Sequence, residues 1–225
     1  MADQKQIEKN TVSAKNQMKD CKYIRFVNPK GKGRRIMFVG NSITIHGVRP
    51  AIGWHRECGM AATGEEKDYV HLVMDAVKKQ DPDAAFCITQ ISRWEINYNK
   101  DYQAAIELHE AGRDFEADVL IIRCVENCPW AEYEPEQFKQ SYKAMIDYLN
   151  KKNGQVILTT SFWESKADEA IRQVGQERGY PVIYLGDLGE RDDMKAIGQF
   201  EHQGVCQHPN DNGMRKIATR IIKCL

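Results

Sequence analysis

From Arg34 onward, short runs of β-favouring apolar residues alternate with longer stretches whose apolar positions recur every three or four residues. The runs fall at 36–39, 85–91, 119–124, 156–160 and 182–185. Between them, Val70, Val73, Met74 and Val77 form one helical stripe, and Phe138, Tyr142, Met145, Ile146 and Leu149 form another. Ser165 and Asp168 predict a capping box for a helix that bears Ala167, Ala170, Ile171 and Val174 and stops at Gly179 and Pro181. A last helix, from about Asp211, turns Met214, Ile217, Ala218, Ile221 and Ile222 inward. Strands that are apolar nearly throughout, and are separated by helices, predict a parallel sheet buried on both faces. The expected fold is α/β: a three-layer α/β/α sandwich with a five-stranded parallel sheet, flavodoxin-like, over residues 34–225. Residues 1–33 are expected to form a basic N-terminal arm, its first 22 residues polar and Lys-rich with weak helical spacing. The chain shows no internal repeat, low-complexity tract or second-domain linker.

This topology tells where chemistry belongs, because open α/β sheets bind ligands outside the carboxyl ends of their strands. The post-strand segments read Gly40-Asn41-Ser42, then Ser92-Arg93-Trp94, then Glu126-Asn127-Cys128-Pro129-Trp130, then Ser161-Phe162-Trp163. All four tryptophans, Trp54, Trp94, Trp130 and Trp163, fall in such segments and are expected to line one mouth. Aromatic faces suit sugar rings, and Arg93, with Arg49, His55 and Glu95, offers partners for hydroxyls or a carboxylate.

Composition narrows the partners. Of 225 residues 28% are charged, yet 32 Lys+Arg balance 32 Asp+Glu, which removes the basic footprint of general nucleic-acid binding. The charge is uneven: residues 1–35 hold ten Lys/Arg against three Asp/Glu. No apolar run approaches the roughly 20 residues of a membrane span, so neither nucleic acid nor membrane is expected as a partner. Seven cysteines in no disulfide-like frame imply a reducing compartment, and the expected location is cytoplasmic. A homodimer is the default assembly.

Ser42 stands just past a buried strand, behind a glycine, so its hydroxyl is placed at the sheet edge. A serine becomes a nucleophile only when a base takes its proton and preorganised N–H groups await the oxyanion. Alone, Gly40-Asn41-Ser42 reads equally as an N-cap serine or as a flavodoxin-like turn binding phosphate or flavin on backbone N–H groups. His208, followed by Pro209, is held by rigid backbone outside a helix, which suits an oriented base. Asn127 offers a side-chain amide to an oxyanion, although asparagine is also an ordinary turn residue. Cys124, Cys128 and Cys206 are expected near His208, but their spacing matches no structural-zinc pattern. No metal is expected.

Taken together, these segments resemble the SGNH hydrolases, the GDSL-type esterases. Phe38-Val39-Gly40-Asn41-Ser42-Ile43-Thr44 is similar to the family's first block, with Asn41 where its motif has Asp. Glu126-Asn127 is similar to the asparagine block and His208-Pro209-Asn210 to the last, so the resemblance spans roughly residues 34 to 223. It implies a carboxylic ester hydrolase without cofactors. Ser42 attacks the ester, His208 is base and then acid, and the Ser42 N–H and Asn127 amide hold the oxyanion. With the tryptophan mouth, the expected substrate is a small-molecule ester, an O-acetyl or other small acyl group on a carbohydrate or similar polar alcohol. Departures are Val205 at the usual aspartate, Val125 at a usual glycine, Cys128 at another aspartate, and Ser92-Arg93-Trp94-Glu95 where a glycine usually supplies a third donor. A backbone carbonyl, or a carboxylate of Glu201, Asp211 or Glu126, is left to orient His208; Glu126 is attractive because it flanks Asn127. With none of these, the chain is a non-catalytic carbohydrate-binding module with a degenerate site.

Overall fold

A computed structural model describes residues 24–225; residues 1–23 of the expected arm lie outside them. Six strands make one sheet: β1 (Ile24–Val27), β2 (Arg35–Gly40), β3 (Ala85–Gln90), β4 (Val119–Arg123), β5 (Gln155–Thr159) and β6 (Val182–Ile183). Their order is β1-β3-β2-β4-β5-β6. The five predicted strands are all present and mutually parallel. The sixth, β1, pairs antiparallel with β3, Ile24 opposite Thr89 and Val27 opposite Phe86. This corrects the five-stranded parallel expectation. Ile24-Arg25-Phe26-Val27 is too short to announce a period beside its basic neighbours, and it becomes a strand only because β3 offers a free edge. At the opposite edge, β6 keeps only two of its four expected residues, and Tyr184 is exposed.

The two faces of the sheet are read directly from strand alternation. Ile36, Phe38, Phe86, Ile88, Val119 and Ile121 face one layer; Met37, Val39, Cys87, Leu120, Ile122 and Leu158 face the other. The first layer contains α1 (Tyr69–Lys78), which supplies Val70, Val73, Met74 and Val77. The second contains α2 (Ser92–Asn97), α3 (Tyr102–Glu107), the single-turn α4 (Glu110–Arg113), α5 (Pro135–Leu149) and α6 (Ala167–Arg178). After β6 come the single turns α7 (Gly186–Gly189) and α8 (Gln203–Cys206). Helix α9 (Asp211–Ile222) then returns to the first layer with Met214, Ile217, Ala218 and Ile221. Ile222, expected inward, is 36% exposed.

Helix ends follow their sequence signals. Asp68 caps α1 by accepting from the His71 N–H, and Asn210 caps α9 by accepting from Asn212 and Gly213. Pro135 opens α5, and Gly179 closes α6 with φ +69°. The capping box predicted before α6 forms only in part: Lys166 is the N-cap, with no side-chain capping bond, and the Asp168 N–H reaches the Ser165 carbonyl rather than its hydroxyl. Asp168 is buried and accepts from the Ser165 N–H at 3.2 Å, and also from the Ser161 N–H at 2.9 Å and hydroxyl at 2.8 Å. It thereby pins the loop that carries Phe162 and Trp163. Among the described residues no helix is long and apolar enough to cross a membrane.

Candidate active site

Strand β2 ends at Gly40, where any side chain would collide with the Thr44 hydroxyl and the Arg123 carbonyl. The chain then turns at once: the Asn41 carbonyl accepts from the Thr44 and Ile45 N–H groups at 2.9 and 3.0 Å. Ser42 sits in this turn, half-buried, its own carbonyl accepting from the Met60 N–H at 2.8 Å. Its hydroxyl lies 2.9 Å from His208 Nε2. Residues 166 positions apart are thus brought into hydrogen-bond contact at the carboxyl edge of the sheet.

His208 is held from several sides. Its backbone N–H donates to Val205 and its carbonyl accepts from the Ala196 N–H. The Trp163 ring stands edge-on to the imidazole, centroids 5.2 Å apart at 84°. Its Nδ1 lies 2.7 Å from the Gly204 carbonyl. A carbonyl can only accept, so Nδ1 carries the proton and the Nε2 lone pair faces the Ser42 hydroxyl, the tautomer a general base requires. Of the alternatives open in the sequence, the backbone carbonyl is the one found. Burial pushes the His208 pKa down to about 4, only partly opposed by the Gly204 contact; His46 and Arg123 also lower it.

Glu126, expected to orient the histidine, is engaged elsewhere. It forms a bidentate pair with Arg123 at 2.8 and 2.7 Å and accepts from the Phe162 N–H at 2.9 Å and Asn41 Nδ2 at 2.6 Å. Burial opposes its charge, but Arg123 and these donors outweigh burial and hold its carboxyl below the usual range. Asp211 is bound by Thr63 at 2.8 and 2.6 Å, and Glu201 is exposed.

Behind Ser42 lies a polar network that sequence reasoning missed. Arg123 is fully buried and donates to Asn41 Oδ1 at 2.6 Å as well as to Glu126. Glu95 is also fully buried; it accepts from Asn41 Nδ2 at 2.8 Å, from Asn127 Nδ2 at 2.6 Å and from the Val125 N–H. Burial, then Glu126, raise its pKa. Asn41 therefore has carboxylates on its nitrogen and a guanidinium on its oxygen. An aspartate in its place would add a third negative charge. A usable signal was the charged end of Val-Leu-Ile-Ile-Arg, because a buried arginine requires partners.

The tryptophans divide. Trp130 and Trp163, with Glu126, Glu164, Ser165 and Lys166, line a pocket of about 290 Å³ next to His208. Trp54 and Trp94 do not reach this mouth, because each is 0% exposed in the core on opposite sides of the sheet. Trp54 packs on Phe200, and Trp94 donates to Ser141 at 2.8 Å. Their large apolar surfaces are worth more buried than presented to water. Arg93 is exposed on α2 and does not line the pocket. Cys124, Cys128 and Cys206 are all buried, and burial raises the first two thiols.

By sequence, no family model and no curated protein matches the chain. Solved structures do match in three dimensions. One is the esterase EstA from Pseudoalteromonas sp., inhibited by monoethylphosphonate, at TM-score 0.57 and 12% identity, covering 85% of this chain and 96% of that one. Another is a member of the lipolytic protein G-D-S-L family from Veillonella parvula, at TM-score 0.52 and 15% identity, covering 85% and 97%. The chain has the SGNH hydrolase fold. A two-domain esterase active on acetylated mannans matches at TM-score 0.51 and 17% identity, over 94% of this chain but 53% of that protein. Within the SGNH hydrolase fold, this chain keeps serine and histidine in contact and gives the histidine a carbonyl partner.

Proposed function

We propose that this chain is a serine esterase that hydrolyses a small acyl ester, O-acetyl in the first instance, on a carbohydrate or similar polar alcohol. The observation that carries this reading is the relay from the Ser42 hydroxyl through His208 to the Gly204 carbonyl, at 2.9 and 2.7 Å. As Ser42 Oγ attacks the ester carbonyl, its proton passes to His208 Nε2. The oxyanion is held by the Ser42 backbone N–H and one hydrogen of the Asn127 amide. Collapse expels the alcohol, which takes the proton from His208 and leaves acyl-Ser42. Water then gives a proton to His208 and attacks the acyl group; collapse frees the acid and returns the proton to Ser42. No metal or organic cofactor enters these steps.

Support for a carbohydrate comes from the Trp130–Trp163 pocket beside His208, at the small end of the size range of small-molecule sites and edged by Glu164 and Lys166. The likeness to part of a two-domain esterase active on acetylated mannans supports the same reading. The test is acetate release from acetylated oligosaccharides. Wild-type protein is expected to release acetate and Ser42→Ala to release none. Equal release by both would overturn the reading. Binding of the sugar without release by wild type would make the chain a carbohydrate-binding module.

A further inference from the structure

Glu95 lies on α2, fully buried, and forms no ion pair among the described residues. A buried carboxylate is tolerated only when its oxygens are filled by donors. Here three N–H groups fill them: Asn41 Nδ2 at 2.8 Å and the Val125 backbone N–H on Oε1, and Asn127 Nδ2 at 2.6 Å on Oε2. All three donors belong to the segments that follow the neighbouring strands β2 and β4. Asn41 immediately precedes Ser42, and Val125 begins the turn after β4 that delivers Asn127.

That turn is strained. Val125 has φ +107°, a conformation that a β-branched residue rarely adopts. It persists where its surroundings over-determine it: its side chain is buried and its N–H is captured by Glu95. The same carboxylate that holds the strained backbone takes one hydrogen of the Asn127 amide two residues on. This contact fixes which way the amide faces. A flipped amide would set Oδ1 against the Glu95 carboxylate and turn a donor site into a repulsive one.

We propose that Glu95 is the positioning residue of the oxyanion hole: by holding one Asn127 amide hydrogen and the Val125 N–H, it leaves the second amide hydrogen directed at the acyl oxygen over Ser42. This rests on the esterase reading above. The benefit is orientation, since the charge of Glu95 would by itself oppose an oxyanion. Preorganised donors lose much of their effect when displaced by about 1 Å.

The test combines kinetics on p-nitrophenyl acetate with a double-mutant cycle. Glu95→Gln keeps the shape but sets an amide against the Asn127 amide. It is expected to lower kcat by about tenfold or more and leave KM within about twofold. Fluorophosphonate labelling of Ser42 slows in parallel. In an Asn127→Ala background the same change costs less than about twofold, because both act through one donor. Full kcat in folded Glu95→Gln, or equal losses in both backgrounds, would overturn the proposal. If Glu95→Gln does not fold, wild-type protein supplies the readout by NMR of the Asn127 side-chain amide, assigned from its absence in Asn127→Ala. One proton shifted downfield and slow to exchange is expected; two rapidly exchanging protons overturn the assignment of Glu95. Wild type that fails to label at Ser42 sinks the esterase reading instead, while the NMR result stands independently of turnover.

Discussion

His208 meets a carbonyl where the resembling family places a carboxylate, and the consequence is readable in pH. A carbonyl fixes the tautomer but lends the imidazolium no full negative charge, and burial moves the pKa to about 4. In the proposed mechanism the neutral ring is the base, so kcat/KM should stay level as the pH falls below 6.5 and decline only as it passes through about 4. A pH–rate profile with its acid limb between 6 and 7 would contradict this. Asn41 carries a second consequence. Asn41→Asp would exchange donors to Glu95 and Glu126 for repulsion, at a cost of about 3 kcal/mol in urea unfolding at pH 7. A variant as stable as wild type would show that the network tolerates a third carboxylate. The contact between Ser42 and His208 was legible because local backbone signals mark both residues: a glycine after a strand for one, a following proline for the other. Gly204 was not, since a carbonyl acceptor leaves no trace in side-chain identity. Nor was the role of Glu95: expected at the mouth as a partner for hydroxyls, it is instead fully buried and taken up by Asn41, Val125 and Asn127, an inward turn that nothing in the local sequence marks.

Among the elements, the central strands and the long helices were legible from periodicity, because their burial on two faces or one leaves a strong pattern. β1 was not, and its stability depends on tertiary anchors. Arg25 donates to Glu65 at 2.6 Å, and Glu65 lies 3.0 Å from His71 Nε2, whose Nδ1 lies 2.8 Å from buried Asp68. Burial works against a charged His71, but Asp68 and Glu65 outweigh it, so the pKa is raised above its ordinary 6.5. The folded state thus holds this proton more tightly than the unfolded chain. Its contribution is complete below pH 6.5 and is lost as pH rises through the folded pKa. The stability difference between wild type and His71→Asn, from urea unfolding, should therefore be larger at pH 5.5 than at pH 8.5. A difference that is constant or grows with pH would remove His71 from this role. The tryptophans teach the converse lesson about elements. Position after a strand does not decide between mouth and core, and Trp54 and Trp94 went to the core, where no ligand meets them.

At the scale of the whole molecule, sheet topology assembles the site. The parallel register of β2 with β4, Gly40 beside Arg123, sets the Ser42 turn next to the segment bearing Glu126 and Asn127. The loop ahead of α9 returns His208 to the same edge. This convergence was legible in the sequence as an order of segments, each following a strand or preceding the last helix. The buried charges that brace it were not, because, apart from the Arg123–Glu126 pair, their partners lie 30 to 85 residues away. The central claim, that Ser42 is a nucleophile activated by His208 without a carboxylate, is tested most directly by fluorophosphonate labelling with peptide mapping. The result predicted is stoichiometric modification at Ser42 that is absent in His208→Ala. Folded wild-type protein that stays unmodified, or that reacts at another residue, would contradict it.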